Sequence, residues 1–179
     1  MNKNNELESK SYVIEEKVSN NSLKNKIAYI CSPLHAETDE KMQINMLAAY
    51  MYMQYASATM GYPAKAVHAF LPNILDDNNS EEREQALALG LQILDKSDIL
   101  MVCGNRLSEG MKGEITQAAE KGKRIVVFNE NLLSDTINFL SERRVKRAEV
   151  ELDTDNELLA KPPEYFAAEL EKFNALLAG

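Results

Sequence analysis

Short apolar segments alternate with helix-like segments along this chain, and that alternation constrains its fold more than any other feature. Apolar runs of about six residues lie at 26–31, 64–70, 98–103 and 124–128. Runs without a polar face are expected when helices cover both sides of a sheet. Right-handed connections between such strands give an open parallel sheet.

The segments between these runs have helical patterns and helix-start signals. We predict helices at 38–60, 80–95, 110–121, 132–142 and 163–177, with Ser80 capping the second, and a last strand at 145–152. The fold class is therefore α/β, a single-domain, Rossmann- or flavodoxin-like three-layer α/β/α sandwich over 26–179. Residues 1–25 form a polar N-terminal extension in which 11–14 could add an edge strand.

Composition and charge exclude several classes of function. The net charge of −8 disfavours a nucleic-acid polymer as partner, although a small nucleotide remains possible. No apolar run of the sequence is long enough to cross a membrane, and the polar residues at its start lead us to expect no signal peptide. Cys31 and Cys103 fall in apolar strands, which predicts reduced thiols and a cytoplasmic location. We expect neither a metal nor a cofactor.

The loops that follow the predicted strands are where a ligand should bind, because ligands of such sheets lie beyond the carboxyl ends of the strands. Ser32, Pro33 and His35 follow the first strand, and His68 lies near the end of the second. A histidine here can contact phosphate or transfer protons near neutral pH. Each histidine could equally be a packing or surface residue.

The segment from Ser108 to Glu114 joins the third strand to a helix and is the strongest candidate site. A hydroxyl, small residues and the positive end of a helix together favour an anion. We predict that Gly104, Ser108, Gly110 and Met111 contact the ligand. Glu114 lies one turn further along and could stabilise or attack a sugar carbon that becomes positively charged. The alternatives are an ordinary helix cap at Ser108 and an ordinary first-turn acid at Glu114.

The first helix is rich in methionine and tyrosine on more than one face. Its residues of these types are Met42, Met46, Tyr50, Met51, Tyr52, Met53, Tyr55 and Met60. Such an excess predicts a second buried face, hence a homo-oligomer interface. The alternative is a helix packed deeply within its own domain.

Several of these segments together resemble the nucleoside 2-deoxyribosyltransferase-like superfamily, in particular its phage and bacterial branch, over residues 26–128. The matching segments are 29–35, Asn45 with Ala49 and Tyr50, 63–68, 75–77, Arg83 and 98–114. The resemblance implies that Glu114, in Ser-x-Gly-x-x-x-Glu, is the nucleophile and that Tyr29 lies near it. Ser108 stands where the nucleotide N-glycosidases of the superfamily bind phosphate, which implies a nucleotide substrate. The resemblance also implies a homo-oligomer.

One position departs from the superfamily pattern. The second catalytic aspartate of the superfamily falls on or near Gly90 in this sequence. His68, Asp76 or Asp77 could replace it, and we include Asp77 among the binding residues. Asp76 and Asp77 could otherwise bind a metal or form a solvated turn.

Two functions follow. The first is cleavage or exchange of the N-glycosidic bond of a nucleoside 5′-monophosphate or related nucleotide. The alternative is a catalytically inactive module that binds, senses or sequesters a nucleotide on the same scaffold. A phosphoribohydrolase of the lysine-decarboxylase-like type ranks below both, because its glycine-rich signature is absent.

Overall fold

Five parallel strands form one sheet in a computed structural model, which describes residues 26–76, 79–145 and 148–178. The strands are β1 (Ala28–Cys31), β2 (Ala64–Lys65), β3 (Ile99–Val102), β4 (Arg124–Val127) and β5 (Val150–Leu152). Their order across the sheet is β2-β1-β3-β4-β5, and every neighbouring pair is parallel. The predicted single-domain α/β fold with an open parallel sheet is confirmed.

Helices cover both faces of this sheet and complete the three predicted layers. They are α1 (Asp39–Ala58), α2 (Ser80–Asp95), α3 (Glu109–Glu120), α4 (Glu130–Glu142) and α5 (Pro163–Ala178). Residues of α2, α3 and α4 form one core with one face of the sheet. Residues of α1 and α5 form a second core with the opposite face.

Strand β1 separates these two cores, because successive side chains of a strand point to opposite faces. Ala28 and Ile30 pack in the core under α1, whereas Tyr29 and Cys31 pack in the core under α3. Strand β3 lies beside β1, with Cys31 opposite Val102. After β1 the chain continues to α1 on one face of the sheet, and after β3 it continues to α3 on the other face. The carboxyl ends of β1 and β3 therefore flank a crevice of the kind in which such sheets bind ligands.

Local signals place the helix starts, with one correction. Thr38 caps α1, and Ser108 caps α3, as their side chains accept backbone hydrogen bonds. The cap of α2 is Asn79, not Ser80: the Asn79 side chain accepts from the amides of Glu81 and Glu82. An asparagine amide oxygen caps as well as a serine hydroxyl, so the two neighbouring candidates could not be ranked from the sequence.

Two predicted strands are shorter than expected. The run at 64–70 is a strand only at Ala64–Lys65 and then turns through two short 3₁₀ segments, Val67–Ala69 and Leu71–Asn73. There the amide of Ala69 bonds the carbonyl of Ala66, so local turns replace ladder bonds. The strand predicted at 145–152 is limited to Val150–Leu152, and the edge strand predicted at 11–14 lies outside the described residues.

Helix α5 and the 3₁₀ segment before it, Glu157–Ala160, cover part of α1. The Tyr52 hydroxyl donates to the carbonyl of Lys161 at 2.5 Å, and the Tyr52 ring lies edge-on to Phe166 with centroids 5.0 Å apart. Part of the apolar excess of α1 is therefore buried within its own chain. None of the described helices has the length and apolar character needed to cross a membrane.

Candidate functional site

A hydrogen bond between Tyr29 and Glu114 lies at the floor of the crevice. Tyr29 is the second residue of β1 and points toward α3, where Glu114 occupies the second turn. The Tyr29 hydroxyl donates to Oε1 of Glu114 at 2.6 Å, although 85 residues separate the two in sequence. The strand and the helix thus deliver an acid and a phenol to one point.

Burial controls the protonation of this pair. It raises the pKa of Glu114 from 4.5 to about 7, although hydrogen bonds from Tyr29 and Cys31 act to lower it. Burial and the nearby Glu114 also raise the pKa of Tyr29 well above its usual range. Near neutral pH the phenol is therefore always a donor, while Glu114 exchanges between its neutral and ionised forms.

A cleft of about 590 Å³ opens over this pair. It brings together most of the residues predicted for the site: Tyr29, Ser32, His35, His68, Ser108, Gly110, Met111 and Glu114. The volume is in the range of small-molecule sites. Its remaining walls are largely aliphatic and come from α2 and the segment after β2: Val67, Leu71, Pro72, Leu75, Ala86, Leu87 and Leu91.

Two predicted site residues, Pro33 and Gly104, are not among the residues that line the cleft. Pro33 is buried, and Gly104 packs close to it: a Cβ at position 104 would lie 3.5 Å from both Cδ of Pro33 and the hydroxyl of Tyr52. Gly104 has φ +94°, a conformation that favours glycine, and its amide bonds the carbonyl of Leu159. It therefore shapes the turn after β3 on the α1 side of the sheet. Asp77 lies outside the described residues.

Ser32 and His68 form a buried pair on the cleft wall. Ser32 Oγ lies 2.8 Å from Nε2 of His68. Burial lowers the pKa of His68 to about 4, so the imidazole is neutral at physiological pH. The prediction that His68 shuttles protons near neutral pH does not fit this environment. His68 can instead offer neutral hydrogen-bonding groups to a ligand.

The start of α3 offers anion-binding groups at the cleft. Ser108 Oγ accepts the amide of Met111 at a long 3.5 Å, so this cap bond is weak. The first amides of a helix, here those of Glu109 and Gly110, have no acceptor within the helix. The Glu109 carboxylate forms an ion pair with Lys112, which offsets its charge beside this helix start.

Two arginines at the cleft were missing from the predicted binding set. Arg83 of α2 contacts Nδ1 of His35 at 3.4 Å, and Arg106 lies in the loop between β3 and α3. Arg106 could have been predicted as a binding residue, because it follows the end of a predicted strand. Arg83 could not, because an arginine in the first turns of a helix is usually a surface residue.

Gly90 lies in the middle of α2 and faces the pair at the floor of the cleft. A Cβ at this position would lie 3.1 Å from the Tyr29 hydroxyl and 3.9 Å from Oε1 of Glu114. Any side chain here would therefore press on Tyr29. An interior helical glycine costs stability, which was the sequence signal that position 90 needs space.

The described residues that form the cleft lie within the part of the chain that matches a protein-family model. Residues 26–128 match the family model DUF7768, described as a domain of unknown function. The chain belongs to the DUF7768 family. No curated protein matches the sequence. The DUF7768 region contains β1 to β4 and all of the described residues that line the cleft.

Within the described part of this DUF7768 protein, no group of three or more His, Cys, Asp or Glu side chains is arranged to hold a metal ion. Asp76 lies before α2, where its amide donates to Oε2 of Glu82 at 2.7 Å. This hydrogen bond links the loop before α2 to the first turn of that helix. The described side chains that line the cleft include carboxylates, histidines, arginines and serine hydroxyls.

Proposed function

We propose that the cleft binds a nucleoside 5′-monophosphate or a related nucleotide and that Glu114 cleaves or exchanges its N-glycosidic bond. The observation that carries this proposal is the hydrogen bond of 2.6 Å between Tyr29 and a half-buried Glu114, placed under a cleft with anion-binding groups. The resemblance of Tyr29, Ser108 and Glu114 to the nucleoside 2-deoxyribosyltransferase-like superfamily supports the same assignment.

The first step forms a bond from the ionised Glu114 carboxylate to C1′ of the sugar. The C–N bond breaks and its electron pair leaves with the base, which takes a proton from solvent. Water or a second base then displaces Glu114 from C1′ and loses a proton to solvent, which regenerates the carboxylate. The phenol of Tyr29 fixes the carboxylate throughout, since its own pKa is too high for it to lose its proton.

The phosphate end of the ligand would lie against the start of α3. The amides of Glu109 and Gly110, the Ser108 hydroxyl and the Arg106 guanidinium offer donors and positive charge there. The aliphatic walls from α2 and from the segment after β2 suit the base. This division gives one polar end and one apolar end within a single cleft.

Incubation with a panel of ribo- and deoxyribonucleotides tests the proposal, with released base measured by chromatography. We expect Glu114→Gln, which keeps the hydrogen bond from Tyr29, to lower the rate by several orders of magnitude. Glu120→Gln is the matched control, because Glu120 is an exposed acid at the far end of the same helix. Equal base release by wild type and Glu114→Gln would contradict the proposal.

A second candidate, a nucleotide-binding module without catalysis, is favoured by Gly90. A glycine that faces the Tyr29 hydroxyl supplies no second carboxylate at that position to handle the proton of the leaving base. Among the described residues, the other acids that line the cleft are engaged: Glu82 accepts from the Asp76 amide, and Glu109 pairs with Lys112. Tight binding of a nucleotide by wild type without base release would favour this candidate.

We also propose a homo-oligomer and a cytoplasmic location. Tyr50 and Met51 of α1 remain exposed, next to the face that α5 covers, and would contribute to an interface. Cys31 and Cys103 are free, buried thiols, as expected in a reducing compartment.

A further inference from the structure

Helix α5 carries an apolar stripe that begins inside the domain and ends in solvent. Phe166, Leu170, Phe173 and Leu177 follow one another at spacings of four, three and four residues, so they lie along one face of the helix. Phe166 packs in the core under α1 and is only 4% exposed. Along the same face the exposed fraction rises to 46% at Leu170, 58% at Phe173 and 71% at Leu177. The stripe therefore continues beyond the surface that its own domain covers.

The projecting half of α5 has the composition of a helix that packs against something. Its residues 168–178 are all exposed to solvent in the described part of the chain. Leu176 lies beside the stripe, and together with Leu170, Phe173 and Leu177 it exposes roughly 400 Å² of apolar surface. A contiguous apolar patch of a few hundred Å² marks an interaction site, and a helix that stays in water is polar all round. A partner is therefore needed to cover this stripe.

The charges of this helix half favour a protein partner over a membrane. Glu169 and Glu171 outnumber Lys172, whereas helices that lie on membranes are rich in Lys and Arg on their polar face. Glu169 forms an ion pair with Lys172 at 2.7 Å within the helix. The positions that flank the stripe on its other side, Ala167 and Asn174, are uncharged. Two copies of the stripe can thus pack together without bringing like charges into contact.

We propose that α5 pairs antiparallel with α5 of a second copy of this chain, about a twofold axis near Phe173. A twofold axis brings the same surface of each copy together, so one stripe supplies both sides of the interface. Leu170 of each copy then lies beside Leu177 of the other. The apolar side chains of two copies bury about 800 Å², and the flanking small residues bring the total near the about 1,200 Å² of the smaller specific interfaces.

This surface is independent of the other proposals. None of the described residues that line the cleft belongs to α5, and α5 lies outside the residues that match the DUF7768 model. The interface proposed on α1 involves Tyr50 and Met51, which belong to a different helix. A chain with both interfaces can form an assembly larger than a dimer.

Sedimentation equilibrium of the full chain tests the inference with Phe173→Lys. We expect this variant to weaken self-association at least tenfold, because a charge replaces the central apolar side chain of the stripe. Position 173 is largely exposed and lysine is a good helix former, so the fold should not change, which circular dichroism verifies. Ala175→Lys is the matched control, since Ala175 is exposed on the opposite face of α5, and it should leave self-association unchanged.

Cysteine substitutions locate the contact. Under mild oxidation Phe173→Cys should form a disulfide-linked dimer on a non-reducing gel, whereas Ala175→Cys should not. The native Cys31 and Cys103 are buried, so they do not compete for oxidation. Addition of Met51→Lys to Phe173→Cys should leave the disulfide-linked dimer in place, because the pairing of α5 does not use α1.

Three results would overturn the inference: equal self-association of wild type and Phe173→Lys, equal cross-linking of the two cysteine variants, or a wild-type chain that stays monomeric. If that monomer binds vesicles of phosphatidylcholine and phosphatidylglycerol and Phe173→Lys does not, the stripe is a membrane surface instead. If Met51→Lys dissociates the protein and Phe173→Lys does not, the interface on α1 stands and this one is wrong. Base release enters none of these measurements, so the proposed reaction can fail separately.

Discussion

The hydroxyl of Tyr29 and the carboxylate of Glu114 are joined by a hydrogen bond of 2.6 Å that spans the space between a buried strand and a helix. We expect Tyr29→Phe to raise the pKa of Glu114 further, since a donor to the ionised carboxylate is lost. Loss of a hydrogen bond to a charged group should also lower the free energy of unfolding by about 1.5 to 3 kcal/mol above the pKa of Glu114. Urea denaturation at pH 8 measures this.

The control for Tyr29→Phe is Tyr55→Phe. The Tyr55 hydroxyl donates to Oδ1 of Asn156 at 3.3 Å on the other side of the sheet. It should leave the titration of Glu114 unchanged. If both tyrosine variants shift that titration equally, the hydrogen bond does not control Glu114.

Ionisation of Glu114 should make the free energy of unfolding depend on pH. Its pKa is about 7 in the folded protein and 4.5 in the unfolded chain. Between these values the folded state binds more protons, so the contribution of Glu114 is fully present below pH 4.5 and is lost as pH rises to about 7. Glu114→Gln removes this loss, which amounts to about 3 kcal/mol. Urea denaturation from pH 4.5 to 8 measures the difference from wild type.

His68 should change the free energy of unfolding with pH in the opposite direction to Glu114. Its pKa is about 4 in the folded protein and 6.5 in the unfolded chain. Its contribution is present above pH 6.5 and is lost as pH falls toward about 4. His68→Gln and Glu114→Gln should therefore change the slope of stability with pH in opposite senses. If the two variants change the slope of the free energy of unfolding against pH in the same sense, one of these side chains does not have the environment described.

Substitution of Gly90 should disturb the floor of the cleft. A Cβ at 3.1 Å from the Tyr29 hydroxyl requires Tyr29 to shift by a few tenths of an ångström. We expect Gly90→Ala to reduce base release or nucleotide affinity at least tenfold and to shift the Glu114 titration. Its effect on stability combines this contact with a gain in helix propensity of about 0.5 to 1 kcal/mol.

Gly113→Ala isolates the helix-propensity gain, because a Cβ at position 113 has no neighbour within 4 Å. It should raise the free energy of unfolding by about 0.5 to 1 kcal/mol. If Gly90→Ala behaves like Gly113→Ala in both stability and Glu114 titration, the space beside Tyr29 is not needed.

Ser108→Ala should separate helix capping from phosphate binding. The cap bond to Met111 is long, at 3.5 Å, so we expect a loss of stability near 0.5 kcal/mol, the low end for a cap. Affinity for a nucleoside monophosphate should fall tenfold or more, while affinity for the nucleoside should not change. Calorimetric titration with both ligands checks this. Thr38→Ala, which removes the cap of α1, should lower stability only.

Self-association should depend on the exposed part of α1. Tyr50 is 40% and Met51 37% exposed, and the Tyr50 ring lies edge-on to the exposed Phe70. We expect sedimentation equilibrium to show an oligomer that Met51→Lys weakens at least tenfold. A wild-type protein that stays monomeric at all accessible concentrations would contradict the proposed interface.

The sequence predicted the fold because its apolar runs and caps act locally. That Tyr29 lies near Glu114 was implied only by the resemblance to the nucleoside 2-deoxyribosyltransferase-like superfamily, and the structure has the two side chains in a hydrogen bond of 2.6 Å. The sequence did not predict the neutral state of His68, which depends on burial by residues distant in sequence. The misplaced Pro33 and Gly104 have the same origin, since which side of the sheet a residue faces just after a strand depends on the turn that follows.

Strand β1 is four residues long and lies between the cleft and the core under α1. Tyr29 donates its hydrogen bond to Glu114 from a strand whose other side, at Ala28 and Ile30, packs in the core under α1. A single strand therefore separates the cleft from the core under α1. A neighbouring molecule that displaces α1 would therefore act on Glu114 through β1 alone. A second copy bound to α1 would then change the pKa of Glu114 without entering the cleft.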